Sequence, residues 1–408
     1  MMKVVLSYSG GLDTTTCIYW IKEKYGADVV TVTVDVGQED DFGELEERAY
    51  RAGALKHYTI DAKEEFAKKY ILPGIKSNAL YEGKYPLSTS LARPLISEKV
   101  VEIAKKEGTF HIAHGSTGKG NDQVRFEISI KSLYPEAKVF SPVREWSMSR
   151  DMEYEYLLSH GFKYPYSKGE FSVDENLWGR SVEGGRIELE NLEPPEEAFS
   201  WTKNIKEAPD IPDVIEIEFE EGVPIGINGN SMDLVSIIKY LNIIGGKHGI
   251  GRIDHMEDRV VGIKSREVYE VPAAKILIEA HQDLEKLVLT KSVLKFKYLV
   301  EKYWTDLVYE GLWHDPLRES LDAFVNETQR YVSGKVKLKL FKGNIQVIGR
   351  ESPNSLYKHN LSTYSSLSTF DQSKAIGFIE IWGMQTLLFN EMKVKPQLTK
   401  TENVPNAL

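Results

Sequence analysis

The sequence predicts an α/β protein: a doubly wound parallel-sheet domain, then an α+β domain, then an apolar helical tail. Over the first 160 residues, short β-branched runs alternate with amphipathic stretches. After about Tyr166 that rhythm gives way to a stretch rich in Gly, Glu and Pro, and then to period-two patterns. Near the end, residues 373–393 gather many large apolar side chains. The chain has 408 residues, more than a single core usually supports, so at least two domains are expected. The boundaries read as 1–166, 167–364 and 365–408.

In the first region, strands are expected at Lys3–Ser7, Val29–Val34, His57–Ile60, Phe110–His114 and Lys138–Ser141. Helical patterns lie between them at Thr14–Tyr25, Gly43–Ala52, Lys63–Ile71, Arg93–Glu107 and Asp122–Leu133. In the first helix Cys17, Ile18 and Ile21 recur at helical spacing, leaving Lys22, Glu23 and Lys24 for solvent. Strands alternating with helices imply right-handed crossovers and a parallel sheet. Ligands of such sheets sit at the carboxyl ends of the strands, which points to the loops after Leu6, Val34 and His114.

Segment 167–212 reads as irregular connection. Beyond it, Val214–Phe219 alternates with period two, and Val336–Ile348 reads as a hairpin turning at Lys342-Gly343-Asn344. Helical patterns cover Ser231–Ile244, Ala273–Leu289 and Ser292–Leu312. The tail, with Ile376, Ile379, Ile381, Trp382, Leu387, Leu388 and Phe389, reads as an apolar helix. Its pattern suits closing the core or reaching a neighbouring subunit.

Composition narrows the function classes. A net charge of −10 and the lack of a basic run argue against a nucleic-acid partner. Anionic ligands must then be held by backbone amides, helix N-termini and a few Arg or Lys. Cys17 is the only cysteine, which excludes an intrachain disulfide and a thiolate metal cluster within one chain. No apolar run approaches the roughly 18 residues of a membrane span, and the polar turn at Ser7 comes too early for a signal peptide. A cytoplasmic enzyme is the expectation.

The strongest local signal is Ser7-Tyr8-Ser9-Gly10-Gly11-Leu12-Asp13-Thr14-Thr15, between an expected strand and an expected helix. Paired glycines let the backbone turn tightly and approach an anion without a Cβ in the way. The Ser9 and Thr14 hydroxyls and the first helical amides can donate to phosphate, with the helix dipole assisting. Ionised Asp13 cannot donate to phosphate; it could cap the helix or help place Mg²⁺. A capped strand-to-helix turn would use the same residue types. Neither G-x-x-x-x-G-K-[ST] nor G-x-G-x-x-G is present. The loop instead resembles the SGGxD[ST] signature of ATP pyrophosphatases, which implies adenylation chemistry.

Four further segments resemble one branch of that superfamily, the argininosuccinate synthases. They are Tyr85–Pro94, His114–Phe126, Ser172–Trp178 and Gly249–Asp254 running on to Tyr269-Glu270, in the family's order and approximate spacing. Asn121 and Arg125 lie four apart on one helical face, where a guanidinium suits a bidentate carboxylate clamp. Taken alone, they would better suit an N-capped helix with a surface ion pair, since such caps are common.

The resemblance implies ATP contacts at Ser7–Thr15, Val34 and Gly115, and aspartate contacts at Thr117, Asn121 and Asp122. It implies citrulline contacts at Tyr85, Ser90, Asn121, Arg125, Ser172, Ser181, Glu257 and Tyr269. Asp13, Asn121 and Arg125 would carry the catalytic work, with ATP as co-substrate, Mg²⁺ on its phosphates and a homotetramer as the assembly. His114 and Cys17 read as structural, the latter as a buried inert thiol. Two other readings use the same loop. A different adenylating enzyme would want cysteines, a basic surface or a glutaminase domain, and a nucleotide sensor would have no use for the amino-acid set.

Overall fold

A computed structural model of the chain describes residues 2–146, 148–165 and 171–394. The expected boundary at 166–167 and the last part of the expected tail, 395–408, lie outside them. The chain forms two compact units divided after Leu356.

The first sheet has strands β1 (Lys3–Ser7), β2 (Asp28–Asp35), β3 (Lys56–Asp61), β4 (His111–Ala113) and β5 (Lys138–Phe140), in the order β3-β2-β1-β4-β5 and all parallel. Period-two alternation splits β1 between two cores. Val5 joins a large cluster with Leu91, Leu95 and Ile112, while Val4 and Leu6 face Cys17, Ile18 and Ile21. Burial on both faces is why β1 and β2 read as nearly continuous β-branched runs. Helices α1 (Leu12–Tyr25), α2 (Phe42–Arg51), α3 (Ser88–Lys106), α4 (Asp122–Leu133) and α5 (Arg150–Ser159) accompany this sheet. The order reverses at β1 and β4, so the loops after these two strands flank the crevice where such sheets bind ligands.

The remaining strands are β6 (Ser172–Asn176), β7 (Gly179–Glu183), β8 (Asp213–Glu220), β9 (Val223–Ile227), β10 (Asn230–Ser231), β11 (Arg252–Asp258), β12 (Lys264–Glu270), β13 (Gly334–Phe341) and β14 (Asn344–Glu351). They form two antiparallel sheets, β10-β9-β8-β13-β14 and β11-β12-β7-β6. Helices α6 (Leu234–Lys247), α7 (Pro272–Val288), α8 (Lys291–Tyr309) and α9 (Pro316–Gln329) complete the first unit.

The structure departs from the sequence reading in several places. Segment 167–212 is not wholly irregular, because it holds the β6–β7 hairpin. Both strands are polar, and their burial follows the cleft rather than an apolar alternation. The same concealment applies to β11, where the buried positions are His255 and Glu257. Helix α3 starts five residues early and runs through Pro94, and α6 starts late because Asp233 caps it through Ser236 N–H at 2.9 Å. Helices α5 and α9 were not anticipated.

The polar hairpin is docked onto the first sheet's side of the molecule. Asn176 Nδ2 donates to Ser88 O (3.0 Å), Trp178 Nε1 to Pro86 O (2.8 Å) and Leu177 N to Val36 O (2.9 Å). Trp178 is fully buried, so this contact also removes a large aromatic from water. The second unit contains α10 (Lys374–Trp382) and α11 (Met384–Val394). Ile376, Ile379, Ile381, Trp382, Leu387, Leu388 and Phe389 are all exposed there.

Candidate active site

Between the first sheet and the β6–β7–β12–β11 sheet lies a cavity of about 630 Å³. Its floor comes from the two loops at the switch point. The backbone reverses at Gly10, which has φ +73°, and the Gly10 carbonyl accepts from Arg48 Nη1 (2.7 Å) and Tyr164 Oη (3.0 Å). Any Cβ at Gly10 would overlap Leu45. This anchoring turns the following segment toward the cavity, where Ser7, Tyr8, Ser9, Gly11, Asp13 and Thr14 border it. Ser9 Oγ and Thr14 Oγ1 are 3.2 Å apart, which sets two hydroxyls side by side. Helix α1 begins after Gly11 with no side chain capping it, so its first amides are available to an anion and Asp13 is not the cap. The second loop closes against the first: a Cβ at Gly115 would lie 2.7 Å from Thr14 Cγ2.

Helix α4 supplies the next wall. Asn121 precedes it without capping it, and Arg125 is buried at 4% exposure, which rules out the surface ion-pair reading. Arg125 Nη1 donates to Asp122 Oδ1 (3.1 Å) and Nε to the Tyr309 carbonyl (3.0 Å). Its Nη2 is buried with no hydrogen-bond partner among the described residues. Arg93 from α3 donates to Asp122 Oδ2 (2.9 Å) and also binds Asp174 of β6. Against the penalty of burial, Arg93 and Arg125 hold the Asp122 carboxyl below the usual carboxylate range.

Sheet register assembles the opposite wall. Tyr269 pairs with Ser181, and Ser181 pairs with Asp174. Glu257, on the neighbouring strand, is 2% exposed and accepts from Tyr269 Oη (2.8 Å) and Tyr309 Oη (3.0 Å). Burial pushes its pKa up, opposed by the Tyr269 bond and by Arg125. Glu267 is raised to about 7 by burial and by the Glu257 charge. Arg259 bridges Glu267 (2.9 Å) and Glu183, and reaches the Lys119 carbonyl of the second loop (3.2 Å). Tyr85 stacks on Tyr269 with ring centroids 4.1 Å apart.

Most of the sequence-derived residues border this one cavity. Besides the loop residues, they are Val34, Tyr85, Gly115, Thr117, Asn121, Asp122, Arg125, Ser172, Ser181, Glu257 and Tyr269. Gly10, Leu12, Thr15 and Ser90 do not. Leu12 is core, Thr15 Oγ1 lies 3.3 Å from Tyr8 Oη, and Ser90 Oγ is buried with no partner among the described residues. The sequence reading missed Thr89, Arg93, Asp174, Arg259 and Glu267, all of which border the cavity. Arg93 and Asp174 sit inside quoted motifs, where an unspent charge beside an apolar run was the available signal. Cys17 is buried as expected, and burial pushes its thiol well above the ordinary range.

Comparison with known proteins matches both halves of the chain. A family model described as "Arginosuccinate synthase N-terminal HUP domain" covers residues 3–163, and one described as "Arginosuccinate synthase C-terminal domain" covers residues 171–389. The chain is similar to "Argininosuccinate synthase" of Pyrococcus furiosus, 59% identical over 391 residues and covering 96% of this chain and 95% of that one. It is likewise similar to proteins of that name from Pyrobaculum aerophilum (54%, covering 94% and 97%) and Saccharolobus solfataricus (52%, covering 96% and 100%). Among the described residues, no helix is long and apolar enough to cross a membrane.

Proposed function

The chain belongs to the argininosuccinate synthase family, and from that premise we propose how its cavity joins citrulline to aspartate with cleavage of ATP to AMP and pyrophosphate. The observation that carries the reading is the pairing of a buried, partly unpartnered guanidinium at Arg125 with the buried carboxylate of Glu257 in one cleft. A free amino acid offers a carboxylate and an ammonium to just such a pair.

The ureido oxygen of citrulline attacks the α-phosphorus of ATP, and the α–β phosphoanhydride bond breaks to release pyrophosphate. That oxygen alone is a poor leaving group; as a phosphate ester it becomes a good one. The amine of aspartate then attacks the ureido carbon, loses a proton, and AMP departs with the former ureido oxygen. The hydroxyls of Ser9 and Thr14 and the first amides of α1 receive the pyrophosphate. Val34, at the carboxyl end of β2, faces the adenine side. Citrulline occupies the Tyr85, Arg125, Ser172, Ser181, Glu257 and Tyr269 wall, with Ser90 buried behind it. Thr117, Asn121 and Asp122 hold aspartate. Such a site acts through positioning and fixed charge, which together can supply much of a barrier reduction.

Asp13 borders the phosphate end of the cavity and offers an oxygen ligand, a donor set suited to Mg²⁺ held mainly by phosphates and water. When bound, Mg²⁺ would offset the charge on the phosphate oxygens. The exposed apolar side chains of α10 and α11 support a homotetramer as the working assembly, to be checked by light scattering. We place the enzyme in the cytoplasm.

The test is release of pyrophosphate and AMP from ATP with citrulline and aspartate together, and with each omitted. AMP release should require both amino acids. Cleavage of ATP that ignores them would overturn the reading.

A further inference from the structure

Tyr309, the last residue of α8, does not border the cavity, yet it touches three residues that do. Its hydroxyl accepts from Asn121 Nδ2 at 2.9 Å and donates to Glu257 Oε1 at 3.0 Å. Its carbonyl accepts from Arg125 Nε at 3.0 Å, and its ring lies 4.9 Å from the Arg125 guanidinium carbon. Tyr81 stacks on the ring with centroids 3.5 Å apart, and Tyr81 Oη is fixed in turn to the Asp258 carbonyl at 2.8 Å. The chain after α8 also passes close to α4, since a Cβ at Gly311 would lie 2.9 Å from Arg125 Cα. Asn121 Oδ1 is held separately, accepting from Val260 N at 2.9 Å. The carboxamide of Asn121 is therefore fixed at both ends by elements distant in sequence, and its orientation cannot flip without breaking both bonds.

Resting on the residue roles proposed above, we infer that Tyr309 is the positioning residue that sets the amino-acid clamp, holding Asn121, Arg125 and Glu257 in one mutual geometry. One phenol fixes the aspartate-side amide and the citrulline-side carboxylate together. Its hydrogen points to the carboxylate, which leaves its lone pairs for the amide. Burial and the Glu257 charge keep the phenol protonated well above its ordinary range, so this polarity holds at any working pH. The nucleotide loops make no hydrogen bond with Tyr309 among those described, so the clamp and the ATP site are separable by experiment.

Tyr309→Phe keeps the ring, the stack on Tyr81 and the carbonyl, and removes only the hydroxyl. Val260→Pro removes the other fixing bond, at the second position of a turn closed by Gly262 N to Arg259 O (2.9 Å), where proline is readily accepted. Steady-state constants for the three substrates would be measured in both variants, together with thermal melting. Tyr309→Phe should raise KM for citrulline and for aspartate by roughly tenfold, the scale of losing hydrogen bonds to buried polar groups. KM for ATP should stay near the parent value, and the melting temperature should fall by no more than a few degrees. Val260→Pro should raise KM for aspartate severalfold with ATP again unmoved. Equal changes in all three constants alongside a lowered melting temperature would mark Tyr309 as merely structural and overturn the inference. Glu257→Gln separates this from the reading beneath it. A raised citrulline KM there, with Tyr309→Phe silent, overturns the positioning role alone. An unmoved citrulline KM in Glu257→Gln overturns the residue roles as well.

Discussion

The loop side of the cavity, Ser7–Thr14 with His114–Thr117, is built from main chain and small side chains. The facing side, from α4, β11 and β12, is built from buried charged and aromatic side chains. On the loop side the receiving groups are contiguous, from a glycine at φ +73° to an uncapped helix start, with Gly115 packed so closely on Thr14 that a Cβ has no room. On the facing side local pairs such as Arg125 and Asp122 are tied together by contacts of long sequence separation, as with Asn121 and Tyr309, or Arg93 and Asp174. The groups offered to phosphate thus lie on one short segment, whereas amino-acid recognition here requires three separate elements to be in register.

By that contrast, the largest effect should come from the facing wall. Arg125→Ala leaves Asp122 to Arg93 alone and takes from Glu257 the stronger of its two cationic neighbours, a loss of about 2–5 kcal/mol for such truncations. That corresponds to a citrulline affinity lower by a factor on the order of 30 to several thousand, while ATP affinity should hold. Isothermal titration with each ligand would decide it, and an unchanged citrulline affinity would break the comparison.

On the loop side, Gly115→Ala must displace Thr14, whose methyl would sit 2.7 Å from the new Cβ. KM for ATP should rise about tenfold, since strain and displacement of this kind typically cost about 1–3 kcal/mol. Gly118→Ala is the matched control, because its Cβ would meet only Arg144 at 3.7 Å, an ordinary contact. It should leave ATP kinetics unchanged, and equal effects at both glycines would remove close packing as the reason for Gly115.

The last effect concerns stability rather than binding. Glu153 on α5 is buried and pushed up to about 9, first by burial and then by neighbouring Asp13. An unfolded chain releases that proton near pH 4.3, so the folded form alone retains it between about pH 4.3 and 9. The group's stabilising contribution is full below that window and is lost as pH rises through it. Glu153→Gln, neutral throughout, should show a smaller fall in melting temperature from pH 5 to pH 9 than the parent. Parallel melting curves would mean that Glu153 is ionised like any other carboxylate.

How much of this was legible in the sequence follows the same division. The five parallel strands could be read because burial on both faces writes β-branched runs into the chain. The phosphate loop could be read because its glycines and hydroxyls are contiguous. The β6–β7 hairpin and β11 could not, since their buried positions hold Glu257, His255 and Asn176 rather than apolar residues. Arg125 looked like a surface cation at the start of a helix until the chain brought Tyr309 and Gly311 against it. Tyr309 itself ends an amphipathic helix and carries no local sign of its three partners.

The central claim is that the cavity sets the ureido oxygen of citrulline against the α-phosphorus of ATP, above the loop that receives pyrophosphate. Citrulline labelled with ¹⁸O at the ureido position, turned over with ATP and aspartate, tests it directly by mass spectrometry of the released AMP. One ¹⁸O atom is expected in the AMP phosphate and none in pyrophosphate. Unlabelled AMP would contradict it, because the oxygen would then never have joined the α-phosphorus.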